Sequence, residues 1–257
     1  MTTTHTESLS NLAANTIYYY RVKSKSSTGI QATSSGYTLK TTNALDITSG
    51  LLAAYAFDEG TGNSTADSSG NSRTGSLHNT SWSTDAKFGK ALSFNGSNSS
   101  SYLSASAAGL PATNAPQTIS LWVSLSSRSS ATLSVVSLAD KTQAVSVQLG
   151  FKDSRPGVWQ KNTGWLVTGN QLPSRTWNYY AYTFDGKTHR FYFNGTEVSH
   201  STITPQGATV NIMEIGRGLG NAEYFKGILD EVRIYNRALS DAEIHAVMDT
   251  AVGGAAK

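Results

Sequence analysis

The feature that most constrains this chain is the stretch from Tyr180 to Ser199, in which apolar and polar residues alternate between two tight-turn dipeptides. Tyr180, Tyr182 and Phe184 share one parity, Asp185-Gly186 interrupts them, Arg190 to Phe193 resumes the run, and Asn194-Gly195 turns it into Thr196 to Ser199. A period of two is the pattern of a strand with one buried face. Asp-Gly and Asn-Gly tolerate the positive φ that two-residue hairpins require. The stretch is therefore an antiparallel meander.

The remainder of the chain agrees with an all-β reading. Ile119, Leu121, Val123 and Leu125 alternate with Ser120, Trp122 and Ser124, giving another half-buried strand. Only 14% of the 257 residues are charged, and Ser, Thr, Asn and Gly crowd the spaces between apolar runs. That is the profile of many strands joined by turns. One helix is specified: Ser240-Asp-Ala-Glu243 is a capping box, and Leu239 and Ile244 sit where a hydrophobic staple closes over it. The spacing predicts a short helix from Asp241 to Asp249, followed by a disordered tail over residues 251–257 that frays from Val252.

Charge excludes one class of partner. The formal net charge of +3 comes from 20 basic and 17 acidic residues scattered along the chain, without the Lys/Arg cluster that neutralises phosphates. Nucleic acid is not an expected partner. There is no cysteine, so neither a disulfide nor thiolate chemistry is available. No run reaches the roughly 18 to 20 apolar residues of a membrane span, and Met1 to Ser10 lacks the apolar core of a signal peptide. The chain reads as a piece of a longer polypeptide.

Residues 9 to 42 read as two strands and a hairpin turning near Gly29. The spacing Leu12, Thr16, Tyr18, Val22, Gly29 resembles the last third of a fibronectin type III domain, and the resemblance implies that Tyr18 anchors a corner by hydrogen-bonding back to the chain. Residues 1–43 are accordingly expected to be a partial domain of that kind, docked on the main domain or poorly ordered, with residues 44–50 as linker. The apolar run Leu51 to Phe57 opens the large domain, 51–250.

That large domain carries a second resemblance. Leu51 to Gly60, Asp67-Ser-Ser-Gly70-Asn71, Phe88-Gly-Lys-Ala91 through Asn95-Gly96, Thr118 to Val123, Trp177 with Phe184-Asp185-Gly186, Phe191 to Gly195 and Gly227 to Ser240 follow one another in order. These seven blocks resemble the laminin G-like, concanavalin A-like jelly-roll family. The resemblance implies an antiparallel β-sandwich jelly roll with one short C-terminal helix, secreted or displayed at the cell surface as part of a larger polypeptide. This superfold carries lectins, carbohydrate-binding modules, adhesion domains, glycosidases and lyases, so function has to be argued from sites.

A metal is suggested by the last strand. Ile228, Asp230, Val232 and Ile234 share one parity, so Asp230 is expected on the core-facing side. A carboxylate there needs a cation or strong donors. The turns Asp58-Glu59 and Asn95-Gly96 close other strands, and calcium takes about six to eight oxygens of the kind such strand ends supply. The lack of cysteine or paired histidines disfavours zinc. The family resemblance implies structural calcium held by the Asp230 carboxylate, by Asp58 with its neighbour Glu59, and by the carbonyls or side chain around Asn95 and Gly96. Hydrogen bonds from an arginine or backbone amides answer the same burial equally well.

A ligand site is suggested by tryptophan. Trp122 and Trp177 fall in the matching blocks and Trp82 fits the family's general pattern, so all three are assigned to packing. Trp159 and Trp165 lie outside them, in a turn-rich stretch with Arg155, Lys161 and Asn162, the composition of an exposed polar-aromatic platform. A hairpin whose aromatics merely cover a sheet accounts for them as well. Gly216-Arg-Gly218-Leu-Gly220 has no βαβ context and reads as a turn.

Catalysis is not expected. Jelly-roll glycosidases carry acidic residues of one parity on a single strand, and no such series is present. Asp58-Glu59 and Asp230-Glu231 are adjacent pairs, each expected to point to opposite sides of its strand. His78, His189, His200, Tyr102 and Arg190 show no recognisable lyase spacing. The reading is a non-catalytic carbohydrate-binding or lectin-like module with a polysaccharide or glycan as partner. The alternatives are a protein-adhesion or spacer module, with another extracellular protein as partner, and a polysaccharide-cleaving enzyme.

Overall fold

The computed structural model describes residues 9, 12–13, 15–41, 45–96, 101–140, 145–161, 163–169, 171–218 and 223–254. The chain divides into two compact units, Met1–Asp46 and Ile47–Lys257. The first contains β1 (Ile17–Tyr20), β2 (Lys23–Lys25), β3 (Gln31–Thr33) and β4 (Tyr37–Lys40). β1 pairs antiparallel with β4, and β2 with β3. The Tyr18 hydroxyl accepts a hydrogen bond from the Ala13 N–H at 2.7 Å, a bond back along the chain.

The second unit is a sandwich of antiparallel sheets. Its strands are β5 (Leu51–Tyr55), β6 (Ser64–Thr65), β7 (Gly75–His78), β8 (Ser81–Ser83), β9 (Ala91–Asn95), β10 (Tyr102–Ser106), β11 (Gln117–Leu125) and β12 (Leu133–Ala139). There follow β13 (Val145–Lys152), β14 (Arg155–Gln160), β15 (Gly164–Val167), β16 (Asn178–Phe184), β17 (His189–Phe193), β18 (Thr196–Ser201), β19 (Ile212–Ile215) and β20 (Lys226–Tyr235), then the helix α1 (Asp241–Asp249). One sheet runs β15-β14-β13-β12-β19-β10-β7-β6. The other runs β18-β17-β16-β11-β20-β9-β8, with β5 also paired to β20. The predicted meander is β16-β17-β18, turned at Gly186 and Gly195.

The main core lies between the sheets, where Leu121, Val123, Leu149, Val158, Phe191, Met213 and Ile234 are buried. A second apolar layer, Trp122, Tyr179, Tyr192 and Tyr235, lies on the opposite side of the second sheet and is covered by Leu239, Ile244 and Val247 at α1. The helix starts as the capping box predicts: Glu243 N–H donates to Ser240 Oγ, and Ser240 N–H donates to Glu243 Oε2 at 2.8 Å. The fraying expected from Val252 does not occur at that residue, because its N–H donates to the buried Glu231 carboxylate at 2.6 Å. Residues 255–257 of the expected tail lie outside the described residues.

A polar chain crosses the apolar interior. Gln160 Nε2 donates to the Tyr182 hydroxyl at 2.9 Å, which lies 2.9 Å from His189 Nδ1, while His189 Nε2 lies 2.5 Å from the Ile203 carbonyl. A carbonyl only accepts, so Nε2 carries the proton, Nδ1 accepts, and the tyrosine hydroxyl donates to it. The imidazole is thus held neutral, and burial lowers its pKa below the ordinary 6.5. Between that ordinary value and the depressed one, the unfolded chain takes up a proton that the folded chain refuses, so stability is lost as pH falls through this window. His189→Gln should flatten this loss. Urea midpoints measured between about pH 5 and about pH 7.5 check it, and an equal loss in variant and parent would contradict the assignment.

Candidate functional site

Two regions gather chemistry in the sandwich. The first is the outward face of the β15-to-β6 sheet. Val158 and Leu166 point into the core, so their neighbours Trp159 and Trp165 stand on the other side. The two indoles are direct cross-strand partners on the hairpin β14-β15, with β15 at the sheet edge, and both are half-buried. Lys161 lies in the intervening turn, half-buried, and Arg155 is exposed at the start of β14 on the same outward parity as Trp159. Asn162, the remaining candidate, lies outside the described residues.

The register extends this pair across the whole sheet. Trp165, Trp159, Gln148, Ser137, Glu214, Ser104, Ser76 and Ser64 are successive cross-strand partners. Neighbouring strands lie about 4.8 Å apart, so the row is a polar-aromatic band that runs across the strands and follows the twist of the sheet. Its centre is covered. Arg217 forks onto both oxygens of Glu214 at 2.6 and 2.5 Å and lies 3.6 Å over the Tyr102 ring, whose plane also stacks on His78. Gln148 Nε2 donates to Glu223. None of these central residues was singled out from the sequence as a group, because they come from segments far apart in the chain. The indole pair did carry a local signal: Trp159 and Trp165 lie six residues apart in one turn-rich stretch.

The second region is the acidic end of β20, where the inward placement expected for Asp230 is corrected. Glu231 has a left-handed φ of 58°, and the pairing with β11 shifts register between Ser120 and Trp122. This bulge reverses the parity of the strand. Leu229 points inward before it and Val232 and Ile234 after it, while Asp230 pairs with Trp122, which faces the helix. Asp230 is still fully buried, beneath the outer layer rather than in the main core. Nor do Asp230 and Glu231 point to opposite sides: Glu231 pairs with Arg233 at 2.8 Å, and Arg233 also donates to the Thr250 carbonyl at the end of α1.

Backbone amides take much of the charge. Lys87 and Phe88 donate to Asp230 Oδ2 at 2.9 and 3.0 Å, and Lys90 N–H donates to Asp58 Oδ1 at 2.6 Å. Gly89 between them has a φ of 51°, and a β-carbon there would fall 1.9 Å from Asp58 Oδ1, so only glycine lets this segment wrap the carboxylates. Burial, together with repulsion from Glu231 and Asp58, raises Asp230 to about 7. Burial raises Glu231 to about 7 as well, against the pull of Arg233 and the Val252 amide. Asp230 Oδ1 and Glu231 Oε1 are buried without a hydrogen-bond partner among the described residues.

The expected calcium ligands are not brought together as a set. Asn95 pairs with Lys226, four residues or about 13 Å along β20 from Asp230. Gly96 packs beside the Lys226 side chain, and Glu59 accepts from Thr65 Oγ1 and from the Ala66 N–H at 2.7 Å instead. Among the described residues no group of three or more His, Asp or Glu side chains is drawn close enough to hold a metal ion. The amide donors and Arg233 answer the burial in large part.

The three core tryptophans are where packing requires. Trp122 is buried with its indole N–H on the Met248 carbonyl, Trp177 packs on the same layer, and Trp82 packs on the main core. His200 pairs with Glu197, and Arg190 with Asp185 and Glu197.

Two antiparallel sheets packed face to face and closed by a capping helix define the class of β-sandwich jelly rolls. The chain belongs to the concanavalin A-like lectin/glucanases superfamily, whose laminin G model matches residues 95–245. Domain 4 of AbnA, an extracellular arabinanase of Geobacillus stearothermophilus solved with arabinotriose, superposes with a TM-score of 0.63 at 22% identity, over 77% of this chain and 98% of that domain. The binding domain of Paraclostridial Mosquitocidal Protein 1 superposes with a TM-score of 0.65 at 17% identity, over 79% of this chain and 53% of that one. Trypanosoma rangeli sialidase superposes with a TM-score of 0.60 at 16% identity, over 78% of this chain and 33% of the enzyme. At these identities the likeness is one of fold. No curated protein matches by sequence.

The Glu231–Arg233 pair supplies a stability prediction. Arg233→Met leaves Glu231 buried without its cation and should cost about 3 kcal/mol or more. Glu231→Gln combined with Arg233→Met should recover part of it. Denaturant titration of the two variants tests this; equal stabilities would show that the pair does not act as a unit.

Proposed function

We propose that the chain is a non-catalytic carbohydrate-binding module of a secreted multidomain protein, and that it grips a polysaccharide on the Trp159–Trp165 pair. The observation that carries the reading is the outward cross-strand pairing of two indoles at a sheet edge. An indole face stacks on the apolar face of a pyranose or furanose ring while its N–H donates to a hydroxyl. Adjacent strands fix the spacing, so the pair is ordered before ligand arrives. The AbnA domain solved with arabinotriose supports a glycan as the ligand class. The non-catalytic reading is supported by Glu214, whose two oxygens are both engaged by Arg217. Trp159→Ala with Trp165→Ala should weaken retention in polysaccharide affinity gels about tenfold or more, with an unchanged melting temperature. Full retention by the double variant would move the ligand elsewhere.

We further propose that residues 1–43 are the end of a fibronectin type III domain, a reading supported by the backbone bond at Tyr18. Calcium is proposed for the acidic end of β20, with the Asp58 and Asp230 carboxylates as its side-chain ligands and backbone carbonyls or water completing the shell. The support is chemical: two buried carboxylate oxygens lack partners, and three carboxylates repel one another there. A divalent ion would supply the missing positive charge. The melting temperature should rise in calcium over chelator, since a ligand at a hundred times its dissociation constant adds about 2.7 kcal/mol. Superimposable melts would remove the ion.

A further inference from the structure

The β13-β14 hairpin turns through Asp153 and Ser154, with φ of 54° and 60°. Positive φ at both central residues is what the mirror-image two-residue turn demands, and Asn-Gly would meet it with less strain. The chain places a buried serine there instead. Ser154 Oγ accepts from the Ser129 N–H at 2.8 Å and donates to the Ser129 carbonyl at 2.9 Å, which ties the 126–132 loop to the turn. A third segment joins them: Leu172 N–H donates to the Ser154 carbonyl at 2.9 Å, and Gln171 Nε2 donates to the Asp153 carbonyl at 2.9 Å.

These three segments enclose an open cleft of about 460 Å³, within the range of small-ligand sites. Arg128 and Arg155 line it, with Ser130, Gln171 and the single carboxylate of Asp153. Among the described residues the Arg128 side chain makes one hydrogen bond, from Nε to the Leu172 carbonyl at 3.2 Å. Neither arginine forms a salt bridge among the described residues. More positive charge flanks the same loop: Arg175 Nε donates to the Ser126 carbonyl, and Ser126 N–H donates to the carbonyl of Lys226. Lys152, the residue before the turn, is exposed.

We propose that this cleft binds the anionic group of an acidic polysaccharide, the carboxylate of a uronic acid or a sulfate ester, and that the same glycan continues along β14 to the indole pair. Two guanidinium forks without carboxylate partners match such an anion, while Gln171, Ser130 and Asp153 are suited to sugar hydroxyls. Arg155 and Trp159 lie on one face of β14, four residues or about 13 Å apart, the reach of a short oligosaccharide. The inference rests on the carbohydrate-binding reading and deepens it.

The test compares polygalacturonate, dextran sulfate, neutral arabinan and single-stranded DNA by isothermal titration calorimetry, at low and high salt. The proteins are the parent chain, Arg128→Gln/Arg155→Gln, Arg155→Gln alone as the milder change at an exposed position, and Trp159→Ala/Trp165→Ala. The parent should bind at least one acidic polymer tenfold or more tightly than arabinan, with the preference falling as salt rises. The arginine variants should lose that preference, and the tryptophan variant should bind every glycan more weakly. Preference for polygalacturonate would assign a carboxylate, and preference for dextran sulfate a sulfate. Equal binding of acidic and neutral polymers, or retained preference in folded arginine variants, overturns the anion cleft and leaves the carbohydrate reading standing. Binding to DNA alone, or to nothing, overturns both.

Discussion

The left-handed residue at Glu231 is the constraint from which the arrangement of the sandwich follows. β20 is the longest strand and pairs with β11 on one side and with β9 and β5 on the other. The bulge lies where the partner on one side of this ten-residue strand changes from β9 to β5, and it bends and twists the strand there. It lets Leu229 and Val232 both reach the main core, and it delivers two consecutive acids to the layer under α1. Those acids then need donors. The amides of Lys87 and Phe88, the Arg233 guanidinium and the chain beyond the helix are all recruited by that one backbone irregularity.

The two sheets consequently have different outer faces. The β20 sheet is closed by aromatic packing under the helix, so its tyrosines and Trp122 contribute stability. Among the described residues no helix covers the opposite sheet, and its outward row is polar at every strand except the edge hairpin, where the two indoles stand. Surface exposure at an edge usually invites pairing with another chain. Here the edge strand β15 is short, which limits that hazard while leaving the aromatic faces accessible.

Much of the architecture was legible in the residues themselves. The Asp-Gly and Asn-Gly turns, the Ser240–Glu243 capping box and the alternating run at Ile119 describe interactions between near neighbours, and local chemistry decides them. The assignment of Trp82, Trp122 and Trp177 to packing also followed from their place in the strand pattern. The parity of Asp230 was not legible, because nothing about a glutamate announces a positive φ. The distance from Asn95 to Asp230 was hidden for a related reason: it depends on the register between β9 and β20, which strand pattern does not specify.

The sequence alone determined that this chain is built of antiparallel strands joined by tight turns and ends in one capped helix, since periodicity, turn chemistry and capping act over a few residues. Only the tertiary structure decided which carboxylates share a side, which indoles face each other, and that Arg128 meets Arg155 across a cleft. Those are pairings between distant segments, and their geometry is set by strand register and by a single bulge rather than by any local propensity.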